Sequence, residues 1–224
     1  MGTILNIETA TTNCSVSIGV NGDCISLLEE NTPNYSHSEQ LHVFIKEVLK
    51  KATLSFSDLD AIAVSKGPGS YTGLRIGVSA AKGLCFSLDL PLISIPTLKS
   101  IAQQIVVDDD AVIIPLLDAR RMEVYSCIFD HNLKEIRNTQ AQIIDESSFS
   151  DYLEYKEVHL VGNGSEKCKT ILESPNMIFH TTNIPSAKEM VTLSYKKFKV
   201  NDFEDVAYFE PYYLKDFVLQ TKKA

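Results

Sequence analysis

Tryptophan, close cysteine pairs and long apolar runs are all missing from this sequence. The five cysteines, at positions 14, 24, 85, 127 and 168, are scattered, and none forms a C-x-x-C pair. Because metal-binding and redox cysteines usually occur as close pairs, this spacing predicts reduced thiols that pack as small side chains in a cytoplasmic protein. No apolar run approaches the roughly 20 residues that a membrane helix needs, so we expect no membrane span.

Positive charge is also scarce. Lysine and arginine total 21 residues against 29 aspartates and glutamates, which gives a formal net charge of −8. Affinity for nucleic acid comes mainly from neutralised phosphates, so this balance disfavours an extended nucleic-acid surface. If the chain serves a nucleic-acid pathway, we expect another subunit to make most of the contacts.

The apolar residues follow one plan twice along the 224 residues. In the first half an apolar strand ends in Glu8, and an alternating strand and a hairpin follow it. After the acidic triplet at 108–110, a second apolar strand ends in Asp118 and again leads into an alternating strand. A strand meander followed by helix, strand and helix, given twice, predicts two ribonuclease-H-like units in a two-lobed actin/Hsp70-like α/β fold.

The same repeat sets the predicted lobe boundary. We assign 1–106 to the first lobe and 107–224 to the second, and the tail from about 206 is expected to pack back on the first lobe. Helices are predicted from a Ser36 cap with Glu39 as its capping-box partner, from about Thr72, from Thr97 to about Val106, over 146–155, and from a Ser186 cap to about Lys199.

The segment from Lys66 to Gly77 reads KGPGSYTGLRIG and separates an apolar strand from a helix. A strand, a Gly-rich turn and a helix N-terminus are a common setting for anion binding. Neither nucleotide motif fits, because Leu74 follows Gly73 and Thr72 occupies the third glycine position of G-x-G-x-x-G. Phosphate contact is therefore the secondary hypothesis, and its candidate residues are Glu8, Thr9, Thr11, Gly67, Gly69 and Thr72.

Small residues recur every fourth position in this segment, at Gly69, Gly73, Gly77 and Ala81. Once a helix begins near Thr72, such residues lie on one helix face. A face without bulky side chains lets another helix approach at the short end of the usual ~8–10 Å interaxial range. We therefore favour a surface for close helix–helix contact over a primary phosphate site.

The candidate catalytic groups are incomplete. In two-lobed ATPases a carboxylate after the first strand orients metal or water, a role open to Glu8, with Asp118 as its counterpart. The turn at 9–13 has no glycine, so its backbone cannot approach a phosphate closely. The neighbouring Arg120 and Arg121 could hold an anion, but a local ion pair with Asp118 is the favoured interpretation.

No other motif supplies a catalytic centre. His37 and His42 are five residues apart rather than four, and the other histidines are isolated, so we expect surface or capping roles and no metal. A G-x-S-x-G elbow is missing. These observations predict a non-catalytic binding or scaffold subunit without an intrinsic cofactor. An autonomous ATPase or kinase-like enzyme using Glu8 and Asp118 is the alternative, and a peptidase would need a nucleophile that we cannot identify.

Five segments together resemble the TsaB (YeaZ) family over essentially the whole chain; they are Lys66 to Gly77, Ile7 to Thr11, His37 to Leu41, Asp118 to Tyr125 and Pro211 to Leu214. The resemblance implies an actin-like protein that lacks the H-x-x-x-H metal motif of its catalytic relative TsaD. It also implies a heterodimer with TsaD, and a complex with the ATPase TsaE that forms threonylcarbamoyladenosine (t6A) in tRNA. Alone, such a protein is expected to form a homodimer through the same surface.

In this family the docking surface is built from the first two helices of the N-terminal lobe. Carried onto this sequence, that surface comprises Leu41, Phe44, Ile45, Val48, Gly73, Ile76, Gly77 and Ala80. The resemblance implies that ATP or ADP is bound by the complex, and that tRNA is contacted only through it. Many members carry Asp where this chain has Glu8, so no inherited metal role is assigned to Glu8.

Overall fold

The computed structural model describes residues 1–32 and 37–215. It consists of two five-stranded sheets with helices on both faces. The predicted helix cap Ser36 and the end of the predicted tail, 216–224, lie outside the described residues.

The first sheet has the strand order β3-β2-β1-β4-β5. The elements of this part of the chain are β1 (Thr3–Glu8), β2 (Asn13–Val20), β3 (Asp23–Asn31), α1 (His37–Lys51), β4 (Ala61–Gly67), α2 (Tyr71–Leu88), β5 (Leu92–Pro96) and α3 (Thr97–Ala102). β1, β2 and β3 form an antiparallel meander, whereas β4 and β5 run parallel to β1. Parallel neighbours require crossover connections, and the helices α1 and α2 supply them.

The second sheet repeats this topology with the order β10-β9-β6-β7-β8. Its elements are β6 (Ala111–Asp118), β7 (Glu123–Asp130), β8 (Glu135–Ile143), β9 (Glu157–Val161), α4 (Ser165–Cys168) and β10 (Met177–His180), and α5 (Ala187–Lys199) follows them. β6 pairs antiparallel with β7 and parallel with β9, as β1 does with β2 and β4. The duplicated fold predicted from the repeat is therefore confirmed.

Strand alternation divides the core into layers. Leu5 and Ile7 point towards α1 and α2, whereas Ile4 points to the opposite face of the first sheet. The second sheet likewise has one cluster on each face, and α3 packs on the face that carries Ile113 and Phe129. Four of the five cysteines are buried, and Cys24 is exposed.

α5 belongs to the first lobe, so the predicted boundary of 107–224 does not hold for it. Met190 and Leu193 join the core cluster on the first sheet, and the Ser17 hydroxyl donates to the Ala187 carbonyl at 2.8 Å. The described tail also lies there, since the Glu204 N–H donates to the Leu92 carbonyl at 2.8 Å. The chain thus crosses between the lobes twice, before β6 and after β10.

Two predicted helices are shorter than expected. α3 ends at Ala102, and within 146–155 only a 3-10 turn, Ser150–Tyr152, forms. The Asp145 carboxylate accepts the Ser147 N–H at 3.0 Å and the Ser148 hydroxyl at 3.1 Å. Such local side-chain bonds offer the backbone an alternative to the helix.

Candidate functional site

The Gly-rich segment joins β4 to α2 and supports the C-terminal segment. The Tyr212 N–H donates to the Lys66 carbonyl at 2.7 Å. Gly67 has φ +105°, and a Cβ there would lie 2.8 Å from the Tyr212 carbonyl oxygen. Position 67 therefore needs glycine, because the C-terminal backbone crosses directly over it.

The small residues of α2 pack against the turn after β1. A Cβ at Gly73 would lie less than 3.0 Å from the Thr9 carbonyl oxygen, and a Cβ at Gly77 equally close to the Thr9 hydroxyl. That hydroxyl donates to the Gly73 carbonyl at 2.8 Å. Gly69 approaches Ala10 in the same way. The prediction that Gly73 and Gly77 form a bare face for a partner helix is therefore wrong, because the chain's own first turn fills that space.

Three of the predicted interface residues on α1 belong to the core. Leu41, Ile45 and Val48 are at most 2% exposed and pack in the cluster between α1 and the first sheet. An apolar stripe on a helix marks the side that faces its own sheet, which is why the sequence pattern selected them. A partner cannot reach these three side chains on the folded surface. Phe44 is half-buried at the edge of the same cluster.

A groove of about 580 Å³ lies between the outer sides of α1 and α2. Its lining residues are Ser38, His42, Arg75, Ile76, Ser79, Ala80, Gly83 and Leu84. Ile76 and Ala80 are the two predicted interface residues that line it. The same helices expose Val43 (51%) and Phe86 (86%). The partner interface itself remains a prediction, and this groove is its candidate location.

A cleft of about 640 Å³ lies between the lobes. It is lined by the turns after β1 and β4, the turn after β6 and the C-terminal segment 212–215. Of the candidate phosphate contacts, Thr11, Gly69 and Thr72 line this cleft. The candidates that are not among its lining residues are Glu8, Thr9 and Gly67.

Glu8 is completely buried at the end of β1. The Ala10 N–H donates to its Oε1 at 2.6 Å, whereas Oε2 has no hydrogen-bond partner among the described residues. Burial raises the pKa of Glu8 to about 7, although the bond from Ala10 opposes that shift. Glu8 is therefore partly neutral near pH 7, and the structure does not bring it to the cleft surface beside Asp118.

The turn between β6 and β7 carries two arginines in left-handed conformation, Arg120 at φ 70° and Arg121 at φ 51°. The Asp118 carboxylate accepts the Arg120 N–H at 2.7 Å and pairs with Lys167 Nζ at 2.7 Å. Lys167 also donates to the carbonyls of Arg121 and Glu123, at 2.9 and 2.5 Å. The prediction of an ion pair between Asp118 and a neighbouring arginine is wrong, because Lys167 of α4 pairs with Asp118 instead.

Sequence spacing also missed a histidine pair. His159 Nδ1 lies 3.0 Å from His180 Nε2, and His159 Nε2 lies 3.1 Å from Glu157 Oε2. These groups meet because β9 and β10 are parallel neighbours. Surface or capping roles were predicted for the histidines, and a surface role is wrong for His159, which is 8% exposed, and for His37, which is buried. Within 1–32 and 37–215, no group of three or more His, Cys, Asp or Glu side chains is arranged to hold a metal ion.

Two lobes with the same sheet-and-helix topology and a cleft between them define a protein of the actin-like fold class. None of the helices in the described ranges is long and apolar enough to cross a membrane. A family model described as "TsaD: tRNA N6-adenosine threonylcarbamoyltransferase" matches residues 32–223. The chain belongs to this family and, within it, to the TsaB (YeaZ) proteins.

Several relatives support this assignment. The tRNA threonylcarbamoyladenosine biosynthesis protein TsaB of Buchnera aphidicola subsp. Baizongia pistaciae is 31% identical, with 85% of this chain and 88% of the relative covered. The TsaB of Escherichia coli K12 is 28% identical, with 98% and 97% covered. A solved structure from Pseudomonas aeruginosa, of a protein with similarity to peptidase YeaZ, superposes with TM-score 0.85 at 23% identity, over 96% of this chain and 100% of that one. That likeness supports the fold.

Proposed function

We propose that this chain is a non-catalytic subunit of the complex that forms t6A in tRNA, and that it binds and activates TsaD through the groove between α1 and α2. The names of its relatives support the pathway. The main support for a docked partner is the groove itself, because it is open, is apolar at its centre and is not covered by the described residues.

The composition of the groove suits a helix from a protein partner. Ile76, Ala80 and Leu84 provide apolar surface, and polar side chains such as Arg75 and His42 surround it. An apolar centre with a polar rim is typical of protein interfaces. A Cβ at Gly83 would meet no atom within 4 Å, so a partner side chain has room there. Amphipathic helices bind grooves of this kind through residues spaced three and four apart.

The exposed Phe86 extends this surface. It is 86% exposed and stands seven residues from Ser79, which is two helical turns along the same face of α2. Large aromatic side chains often supply much of the binding energy at interfaces. We expect a homodimer to use the same face when TsaD is missing, so the two assemblies would compete.

The other components enter through the complex. TsaE, ATP or ADP, and tRNA are expected to join once TsaD is bound, in the cytoplasm. The chain's net charge of −8 supports an indirect role towards tRNA.

A pair of serine-to-arginine variants tests the docking site. Ser79 is an exposed groove residue, whereas Ser150 is exposed in the second lobe. Purified Ser79→Arg should bind TsaD at least about 10-fold more weakly, because a bulky charge would occupy the apolar groove. Ser150→Arg should bind like the unchanged chain. Gel filtration and titration measure binding, and t6A content in cells reports activation.

Two results would contradict the proposal. One is the absence of a complex between the unchanged chain and TsaD, and the other is undiminished binding by Ser79→Arg. The alternative of an autonomous ATPase would instead show Mg-ATP turnover by the isolated chain, with loss of turnover in Glu8→Gln.

A further inference from the structure

We infer that the turn between β6 and β7 forms a phosphate-binding site in the interlobe cleft, with the side chains of Arg120 and Arg121 as its ligands. The site is separate from the α1–α2 groove and does not depend on TsaD docking. The sequence analysis favoured an ion pair between Asp118 and these arginines over anion binding, and its phosphate candidates lie in the first lobe, on the opposite wall of the cleft or behind it.

The charges that line the cleft leave a local positive surplus. The charged lining residues are Asp118, Arg120, Arg121, Glu123 and Lys215. Asp118 pairs with Lys167, and Glu123 pairs with Lys215. Arg120 and Arg121 are exposed and have no ion-pair or hydrogen-bond partner for their side chains among residues 1–32 and 37–215. Two uncompensated guanidinium groups thus share one cavity in a chain whose net charge is −8.

The backbone of the turn is held in place before any ligand binds. Left-handed conformation is unfavourable for residues with a Cβ, yet both arginines adopt it. The carboxylate of Asp118 fixes the Arg120 N–H, and Lys167 fixes the Arg121 carbonyl. Asn163 Oδ1 in turn accepts the Asp118 N–H at 3.1 Å. A ligand that binds here does not have to order the backbone, which lowers the entropic cost of binding.

The chemistry selects phosphate. Guanidinium groups offer paired N–H donors that match phosphate oxygens, and they remain charged at all physiological pH values. The opposite wall contributes the hydroxyl-bearing residues Thr11, Thr12, Ser70 and Thr72. Both carboxylates that line the cleft are already paired with lysines, so the described lining offers a metal cation no unpaired carboxylate. The phosphate could belong to a free nucleotide or to an RNA backbone, and the cleft, at about 640 Å³, has the volume of a small-ligand site.

Titration of the isolated full-length chain tests the site. Tripolyphosphate is the primary probe, at low salt, and the double variant Arg120→Gln/Arg121→Gln should bind it at least about 10-fold more weakly. Lys50→Gln/Lys51→Gln removes the same charge from the exposed end of α1 and should bind like the unchanged chain. Arg120→Lys/Arg121→Lys keeps the charge but loses the paired donors, so intermediate binding is expected. Matched melting curves show whether each variant folds.

The outcomes separate clearly. The inference is overturned if the unchanged chain does not bind tripolyphosphate. It is also overturned if Arg120→Gln/Arg121→Gln and the control Lys50→Gln/Lys51→Gln weaken binding equally. Arginine-dependent binding supports it, and two further probes then identify the source. ADP without magnesium, bound more tightly than tripolyphosphate, indicates a nucleotide. A short single-stranded RNA, bound more tightly and with a steep salt dependence, indicates an RNA backbone.

Discussion

Replacing Gly77 by alanine should destabilise this chain, whereas the same change at Gly83, six residues later in α2, should stabilise it. Both glycines lie in the helix Tyr71–Leu88. Alanine is favoured over glycine within a helix by up to about 1 kcal/mol. A Cβ at Gly83 would meet nothing within 4 Å, so Gly83→Ala should gain about 0.5–1 kcal/mol of unfolding free energy.

At Gly77 the new methyl group meets the Thr9 hydroxyl at less than 3.0 Å. Thr9 is fully buried, so it cannot swing into solvent. Its displacement breaks the 2.8 Å bond to the Gly73 carbonyl. The buried Thr9 hydroxyl is then left without a partner, which costs about 1–3 kcal/mol, and overpacking adds about 1–3 kcal/mol. After the gain in helix propensity of up to about 1 kcal/mol is subtracted, Gly77→Ala should lose about 1–5 kcal/mol.

Equilibrium urea denaturation of the two variants measures this difference. The double variant Thr9→Ala/Gly77→Ala should lose less stability than the sum of the single changes, because removing the hydroxyl makes room for the methyl group. If Gly77→Ala proves as stable as Gly83→Ala, α2 does not pack on the turn after β1 as described. Because Gly77 variants are expected to be destabilised, a loss of TsaD binding in them would not locate the interface, whereas a loss in Ser79→Arg would.

Three further changes test other parts of the structure. Because the pKa of Glu8 is raised to about 7, its contribution to the free energy of unfolding is full below pH 4.5 and is lost as pH rises through about 7. Glu8→Gln should therefore lose less stability over this pH range than the unchanged chain. At pH 8 it should be more stable than the unchanged chain by up to about 3 kcal/mol, as measured by urea denaturation. Gly67→Ala should lose about 2 kcal/mol or more and release the C-terminal segment, with faster hydrogen exchange at the Tyr212 amide; unchanged exchange would contradict the crossing. Burial and the neighbouring His159 lower the pKa of His180, so its contribution to the stability of the fold is full above pH 6.5 and is lost as pH falls. Amide hydrogen exchange in β10 should therefore accelerate on acidification in the unchanged chain but not in His180→Phe.

The duplicated fold could be predicted from the sequence because it rests on local signals. Strand alternation and the apolar run before each terminal acid recur in both halves, and the Ser186 cap marks the start of α5 correctly. Side-chain direction is periodic, so each strand and helix carries its own pattern. The return of α5 to the first lobe carries no such signal, because its apolar stripe would suit either sheet.

The site was less predictable because it depends on partners distant in sequence. Lys167, which lies 49 residues from Asp118 in the sequence, forms the ion pair with its carboxylate. Arg120 is therefore left without the carboxylate partner that the sequence predicted. His159 and His180 meet only through the pairing of β9 with β10. Spacing along the chain could not reveal either arrangement, since both depend on the tertiary structure.

The segment from Lys66 to Gly77 shows the same limit most clearly. Its glycines correctly indicate that something approaches the backbone closely. A missing Cβ cannot say whether the approaching group comes from a partner or from the same chain. Here Gly73 and Gly77 leave room for Thr9, and Gly67 leaves room for the backbone of Tyr212. The segment therefore packs against the turn after β1 and against the C-terminal segment of the same chain. Close packing on that inner side holds α2 firmly, and the opposite face, with Ser79 and Phe86, is left exposed.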